Sequence, residues 1–339
     1  MRRGPAVVSR AAWVLALAAA CGPADRSAGS DDPTSGPEGG PPGPVAEEGR
    51  IATPSGPLAW VRVGEGPALV VVHGGPGLDH RYLRPGLDGL ARGRSVVYWD
   101  QRGVGRSVPA TGPLDTLTLG WEANLEDLDR VADRFGDGRG RVALLAHSWG
   151  ALPALAWALS RPGRVRSLVL VAPAEPGSRF AEPTRLRREA RSAPLARAHL
   201  DSLLALPVER RTEPGPRSEM MRTAFRVTAS DPALIDRLDL RLLPTTASNG
   251  DVVARRVMGT AGDLDLWDEL GDLDVPVLVV QGSEDLAPPE LAWALEDALP
   301  RGRAVLVDGA GHFPFVPGGA GFESFVAAVD SFLLRSPSR

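Results

Sequence analysis

Val142-Ala143-Leu144-Leu145-Ala146-His147-Ser148-Trp149-Gly150-Ala151 is an apolar run that breaks at a serine between small residues, then resumes as an alanine-rich segment. It reads as a strand that turns sharply into a helix, with Ser148 at the corner. Such a corner accepts only small neighbours, which accounts for Ala146 and Gly150. It lifts the serine hydroxyl above the sheet, and the following helix start aims backbone N–H groups at any developing negative charge. Gly is the usual residue at the position of Ala146.

Outward from this stretch, more apolar runs recur between Gly, Pro and Asp. Leu58–Val63 and Ala68–Val72 are predicted as an opening hairpin across Gly64-Glu65-Gly66-Pro67. Ser95–Trp99, Ser167–Val171, Val277–Val280 and Ala304–Val307 are nearly continuous in apolar character, as strands buried on both faces are. Helical spacing separates them over Trp121–Phe135, Ala151–Leu159, Leu291–Leu299 and Phe322–Leu334. Strands alternating with helices predict an α/β fold, a mostly parallel twisted sheet flanked by helices. Residues 174–265 interrupt the alternation with Arg-rich helical segments. They are predicted to form a helical cap over the C-terminal edge of the sheet, where open α/β folds bind ligands.

A serine needs a base within hydrogen-bond reach before it becomes a strong nucleophile. Five histidines are available. His147 adjoins Ser148 and should point away from it. His73 opens a Gly-rich turn, His80 follows that turn, and His199 lies in the cap. His312 follows the last predicted strand, from which a loop can reach the C-terminal edge, and is the expected base. The carboxylate that orients it should precede it at a strand end. Asp285, in Gln281-Gly282-Ser283-Glu284-Asp285, is the expected partner. Glu284 and Glu175 are alternatives, and a helix-capping role for Asp285 is the bland one. His73-Gly74-Gly75-Pro76-Gly77 follows the strand Ala68–Val72. Its glycines permit close backbone approach to a ligand, so the expected oxyanion donors are the N–H groups of Gly75 and Trp149.

Residues 1–21 begin with Arg2, Arg3 and Arg10, continue through a short apolar stretch, and end in Ala18-Ala19-Ala20-Cys21. That is the layout of an export signal, and the apolar part is shorter than the roughly 20 residues needed to span a bilayer. The small residues before Cys21 resemble a bacterial lipobox, which implies lipidation of Cys21 and an envelope location. Plain cleavage leaving a free thiol is the alternative. Residues 22–50, rich in Gly, Pro, Ser, Asp and Glu, read as a flexible linker, which puts the folded domain at 51–339. The chain has 339 residues, 43% of them hydrophobic, enough for one large core. Its formal net charge of −4 includes no basic stripe, so no nucleic-acid partner is expected. All 38 basic residues are Arg, a compositional bias. One cysteine and histidines without ligand spacing predict no metal site. The Gly-rich turn lacks dinucleotide spacing, so no cofactor is expected.

Three segments together, His73-Gly74-Gly75-Pro76-Gly77, Asp100-Gln101-Arg102-Gly103-Val104-Gly105-Arg106-Ser107 and His147-Ser148-Trp149-Gly150, resemble the proline iminopeptidases. The resemblance covers roughly 58–173 and 275–335. It implies an α/β-hydrolase fold and a serine aminopeptidase acting on short peptides through an acyl-enzyme. Family members hold the substrate amine with cap glutamates. Neither a Trp-Glu pair nor a Glu-Asn segment occurs in 174–265, and nothing selects among Glu182, Glu209, Glu213 and Glu219. A carboxylesterase or lactonase on the same scaffold, and a non-catalytic envelope-binding protein, are the competing expectations.

Overall fold

The computed structural model describes residues 46–110 and 112–335. Its strands are β1 (Ala46–Ile51), β2 (Leu58–Val63), β3 (Ala68–Val72), β4 (Ser95–Trp99), β5 (Val142–His147), β6 (Val165–Val171), β7 (Val277–Gly282) and β8 (Gly302–Val307). They form one sheet in the order β1-β2-β4-β3-β5-β6-β7-β8. β1 and β2 run antiparallel at one edge, and β4 to β8, with β3, run parallel. The helices are α1 (Trp121–Phe135), α2 (Ala151–Ser160), α3 (Ala181–Arg191), α4 (Pro194–Leu204), α5 (Val208–Arg211), α6 (Pro214–Arg226), α7 (Pro244–Ala261), α8 (Pro289–Ala298) and α9 (Phe322–Arg335).

The continuous apolar runs are explained by two-sided burial. Leu144 and Ala146 of β5 join the core made with α1, α2 and α8. Ala143 and Leu145 join the opposite core, with α9 and the turns at 80–90. A strand between two cores cannot alternate apolar with polar residues. Trp157 of α2 is fully buried, and its Nε1 donates to Asp129 Oδ1 of α1 at 3.0 Å. Trp157→Ala is expected to lower the unfolding free energy by about 3–5 kcal/mol, as read from denaturant melts.

Two expectations need correction. β2 and β3 are not a hairpin, because β4 lies between them. All five residues of β3 are buried, and it takes parallel neighbours on both sides, β4 and β5. Short turns between apolar runs suggest local pairing, but burial of both faces favoured the sheet interior. The opening hairpin is β1–β2, with Ala46 opposite Val63 and Ile51 opposite Leu58. β1 therefore takes residues 46–50 of the stretch read as linker into the sheet. β1 is mostly exposed, so it lacks the apolar signal of a core strand. The signal-like segment, Cys21 and the remainder of the linker fall outside the described residues.

Between β6 and β7 the chain leaves the sheet and builds α3 to α7, the helical layer anticipated over 174–265. Threonines and an asparagine at the start of α7 stitch this layer to the loops below. Thr246 Oγ1 donates to Asp79 Oδ2 at 2.6 Å and accepts from Gly105 N–H at 2.9 Å, and Asn249 Nδ2 donates to the Gly103 carbonyl at 3.0 Å.

Candidate active site

β5 ends at His147, and Ser148 turns the chain with φ +55°, a left-handed conformation rare outside glycine. A single 3-10 turn, Ser148–Gly150, feeds α2. Strain of this kind persists only where the surroundings hold it. Gly150 shows how tight they are: a Cβ there would lie 2.5 Å and 2.6 Å from the Val72 and His73 carbonyl oxygens. Ala146 is fully buried, so the corner accommodates one methyl group at that position.

The loops after β7 and β8 meet Ser148 from the same edge of the sheet. His312 Nε2 is 2.9 Å from Ser148 Oγ, and His312 Nδ1 is 3.1 Å from each Asp285 oxygen. Asp285 is 1% exposed and its Oδ1 accepts the Leu286 N–H at 2.6 Å. It caps no helix, since α8 starts four residues later with Pro288 at its N-cap. Glu284 instead faces Arg191, at 3.0 Å. Glu175 makes no hydrogen bond to His312. It is buried, and its Oε1 accepts the Phe180 N–H at 2.8 Å.

The loop after β3 lies against the nucleophile. The Gly74 N–H donates to Tyr82 Oη at 2.7 Å, so it is already engaged within the protein. Gly75 has φ +137°, beyond the reach of other residue types. The Trp149 N–H lies in the first turn of a helix, where it has no intrahelical acceptor. Gly75, Trp149, Ser148 and His312 all line one cavity of about 490 Å³ beneath the cap.

The remaining histidines take structural parts. His73 Nε2 accepts the Gln101 N–H at 3.1 Å, so its Nδ1–H donates to the Gly74 carbonyl at 2.8 Å. Burial holds its pKa below the usual value. His80 Nδ1 contacts Asp100 Oδ1 at 2.6 Å, and Asp100 also accepts the Arg106 N–H at 2.9 Å. Burial works against the Asp100 carboxylate, but His80 and these donors outweigh it and hold its pKa low. The Asp100–Ser107 segment thus braces the loop carrying Gly75. His199 is on the surface beside Glu219.

His147 does more than its sequence position suggested. Tyr82 Oη donates to its Nδ1 at 2.8 Å, and its Nε2–H donates to the His312 carbonyl at 3.0 Å. Burial, reinforced by the neighbouring His312, pushes its pKa well down, consistent with this neutral tautomer. The Gly75 loop, the elbow and the His312 loop are therefore joined through one tyrosine and one neutral imidazole. Tyr82 is one of only two tyrosines in the chain, but nothing local links it to residue 147. From the other side, the cap carbonyl of Thr228 accepts the His312 N–H at 3.0 Å.

The chain is similar to proteins of known kind. The chain is 28% identical over 270 residues to a proline iminopeptidase of Lactobacillus delbrueckii subsp. lactis, covering 76% of this chain and 88% of that protein. It is 29% identical over 258 residues to one of Lactiplantibacillus plantarum, covering 73% and 86%. A solved structure of a proline iminopeptidase-related protein from Thermus thermophilus superposes with TM-score 0.60 at 29% identity, covering 86% of this chain and all of that one. The family model for the alpha/beta hydrolase fold matches residues 67–318, from the strand before the Gly-rich loop to just past His312. Sheet order, elbow and family match agree, and the chain belongs to the α/β-hydrolases, as a proline iminopeptidase-like member.

Proposed function

We propose that this protein is a serine aminopeptidase that removes the N-terminal residue of short peptides through an acyl-enzyme. The observation that carries the reading is the continuous line from Asp285 through His312 to Ser148 Oγ, with contacts of 3.1 Å and 2.9 Å. Ser148 Oγ attacks the scissile carbonyl while His312 Nε2 takes its proton. Asp285 holds Nδ1–H and stabilises the imidazolium. The Gly75 and Trp149 N–H groups receive the oxyanion. His312 returns the proton to the leaving amine, and water then releases the acyl group by the reverse sequence.

Glu175 supports the peptidase reading over an esterase one. It lines the cavity and stands next to Ala174, whose N–H donates to the Ser148 carbonyl at 3.0 Å. Burial raises its pKa, and among the described residues no cation pairs with it. A buried carboxylate without a counter-charge gains most from an incoming ammonium group. The cap glutamates are otherwise engaged or outward. Glu182 pairs with Arg185, Glu213 with Arg210, and Glu219 with Arg226 and His199, while Glu209 is exposed.

The test is a comparison of prolyl-arylamide with a short neutral acyl ester on the folded domain. Hydrolysis of the ester alone would favour the esterase or lactonase reading. Failure of an active-site serine probe to label the protein would favour a non-catalytic one. In Glu175→Gln, the ratio of arylamide to ester kcat/KM is expected to fall about 10- to 100-fold, the usual weight of a hydrogen bond to a charged group. An unchanged ratio would place the amine elsewhere.

A further inference from the structure

α3 lies over the loop that carries Asp285, and three arginines on it meet that loop differently. Arg187 Nε donates to the Asp285 carbonyl at 3.1 Å, and Arg191 pairs with the Glu284 carboxylate at 3.0 Å. Arg188, next to Arg187, lines the cavity. Its Nε is buried without a hydrogen-bond partner, and no carboxylate among the described residues pairs with its guanidinium. The other cations of the cavity wall are satisfied: Arg185 by Glu182 at 2.7 Å and Glu189 at 2.5 Å, and Arg217 by Asp251. Burial weakens the charged form of Arg188, and the nearby Asp285 only partly offsets this. Asp285 is committed to His312 and the Leu286 N–H.

A half-buried guanidinium that faces a cavity and pairs with none of the carboxylates in its wall is costly unless a ligand supplies an anion. Its planar donors match the two oxygens of a carboxylate, the anion that a peptide substrate carries. We propose that Arg188 receives a substrate carboxylate, namely the C-terminal carboxylate of a di- or tripeptide whose N-terminal residue is being removed. This rests on the aminopeptidase reading. Glu175 and Arg188 then take the two charged ends of a short zwitterionic peptide, one on each side of the scissile bond. Arg188 is a specificity residue and takes no part in bond breaking.

The experiment compares kcat/KM for prolyl-alanine with that for prolyl-alaninamide, in the wild type, Arg188→Met and Arg188→Lys, with thermal melts confirming that each variant is folded. The wild type is expected to prefer the free acid by at least about tenfold. Arg188→Met should bring the ratio close to one, and Arg188→Lys should keep part of it. No preference in the wild type, or an equal preference in Arg188→Met, overturns the proposal. A carboxylate could also sit on the acyl side. A p-nitrophenyl hemiglutarate against p-nitrophenyl butyrate comparison separates that case. An Arg188-dependent preference found there and missing in the dipeptide pair overturns the C-terminal assignment. If neither peptide is cleaved but the butyrate ester is, the aminopeptidase reading has failed. The anion site is then judged by whether N-acetylglycine inhibits ester hydrolysis more than its amide does, and whether Arg188→Met abolishes the difference. Inhibition that depends on Arg188 supports a carboxylate site, and equal inhibition overturns it.

Discussion

Ser148→Ala is expected to reduce kcat by about four to six orders of magnitude on any substrate the protein hydrolyses. Among the described residues, Ser148 Oγ is the one hydroxyl in hydrogen-bond contact with His312 Nε2, at 2.9 Å. His312→Ala should cost a similar factor. Without a base 2.9 Å away, the serine proton has no acceptor at the moment of attack. The Ser148 and His312 substitutions made together should cost little more than either alone, since each disables the same step. Steady-state rates on a chromogenic ester measure all three proteins. Pre-steady-state traces of the wild type should show a burst of leaving group where deacylation is slow. Near-normal turnover in Ser148→Ala would remove the acyl-enzyme from consideration.

Asp285→Asn is expected to lower kcat by about four orders of magnitude while leaving the fold intact. The reason is specific to this loop. Asp285 Oδ1 accepts the Leu286 N–H at 2.6 Å, so an asparagine there keeps its carbonyl oxygen on that donor. Its amide NH₂ is then turned toward His312 Nδ1, which must become an acceptor. The imidazole proton moves to Nε2, and the ring points a donor at Ser148 Oγ where it should accept. Thermal melts should change little, since size and shape are kept. Loss of activity with an unchanged melt separates a tautomer fault from a folding fault, and retained activity would show that Asp285 does not set the tautomer.

What the sequence disclosed tracks how local each signal was. The elbow at Ser148 sits in one ten-residue stretch whose small residues and apolar flanks encode a turn directly. His312 and Asp285 were legible because both follow apolar strands, and a parallel sheet gathers such strand ends at one edge. β1 stayed hidden because an exposed edge strand carries no buried stripe. The misassigned β2–β3 hairpin shows that apolar runs reveal strands but not their neighbours. By position in the sequence Glu175 reads as an alternative orienting acid for His312, and no local pattern marks it as the amine-binding group proposed above. Glu175 lies in the connection between β6 and α3, ahead of the first cap helix. The bridge from Tyr82 through His147 to His312 joins positions 65 and 165 residues apart. Only the folded chain relates them.

The Thr228 carbonyl that holds the His312 backbone belongs to the roof of the cavity. That single contact makes the roof an interlock. A roof raised as a unit would pull on the loop that carries the base, so an open enzyme would also be a disarmed one. For the aminopeptidase proposed above, that coupling would tie the entry of a peptide to the integrity of the machinery that cuts it.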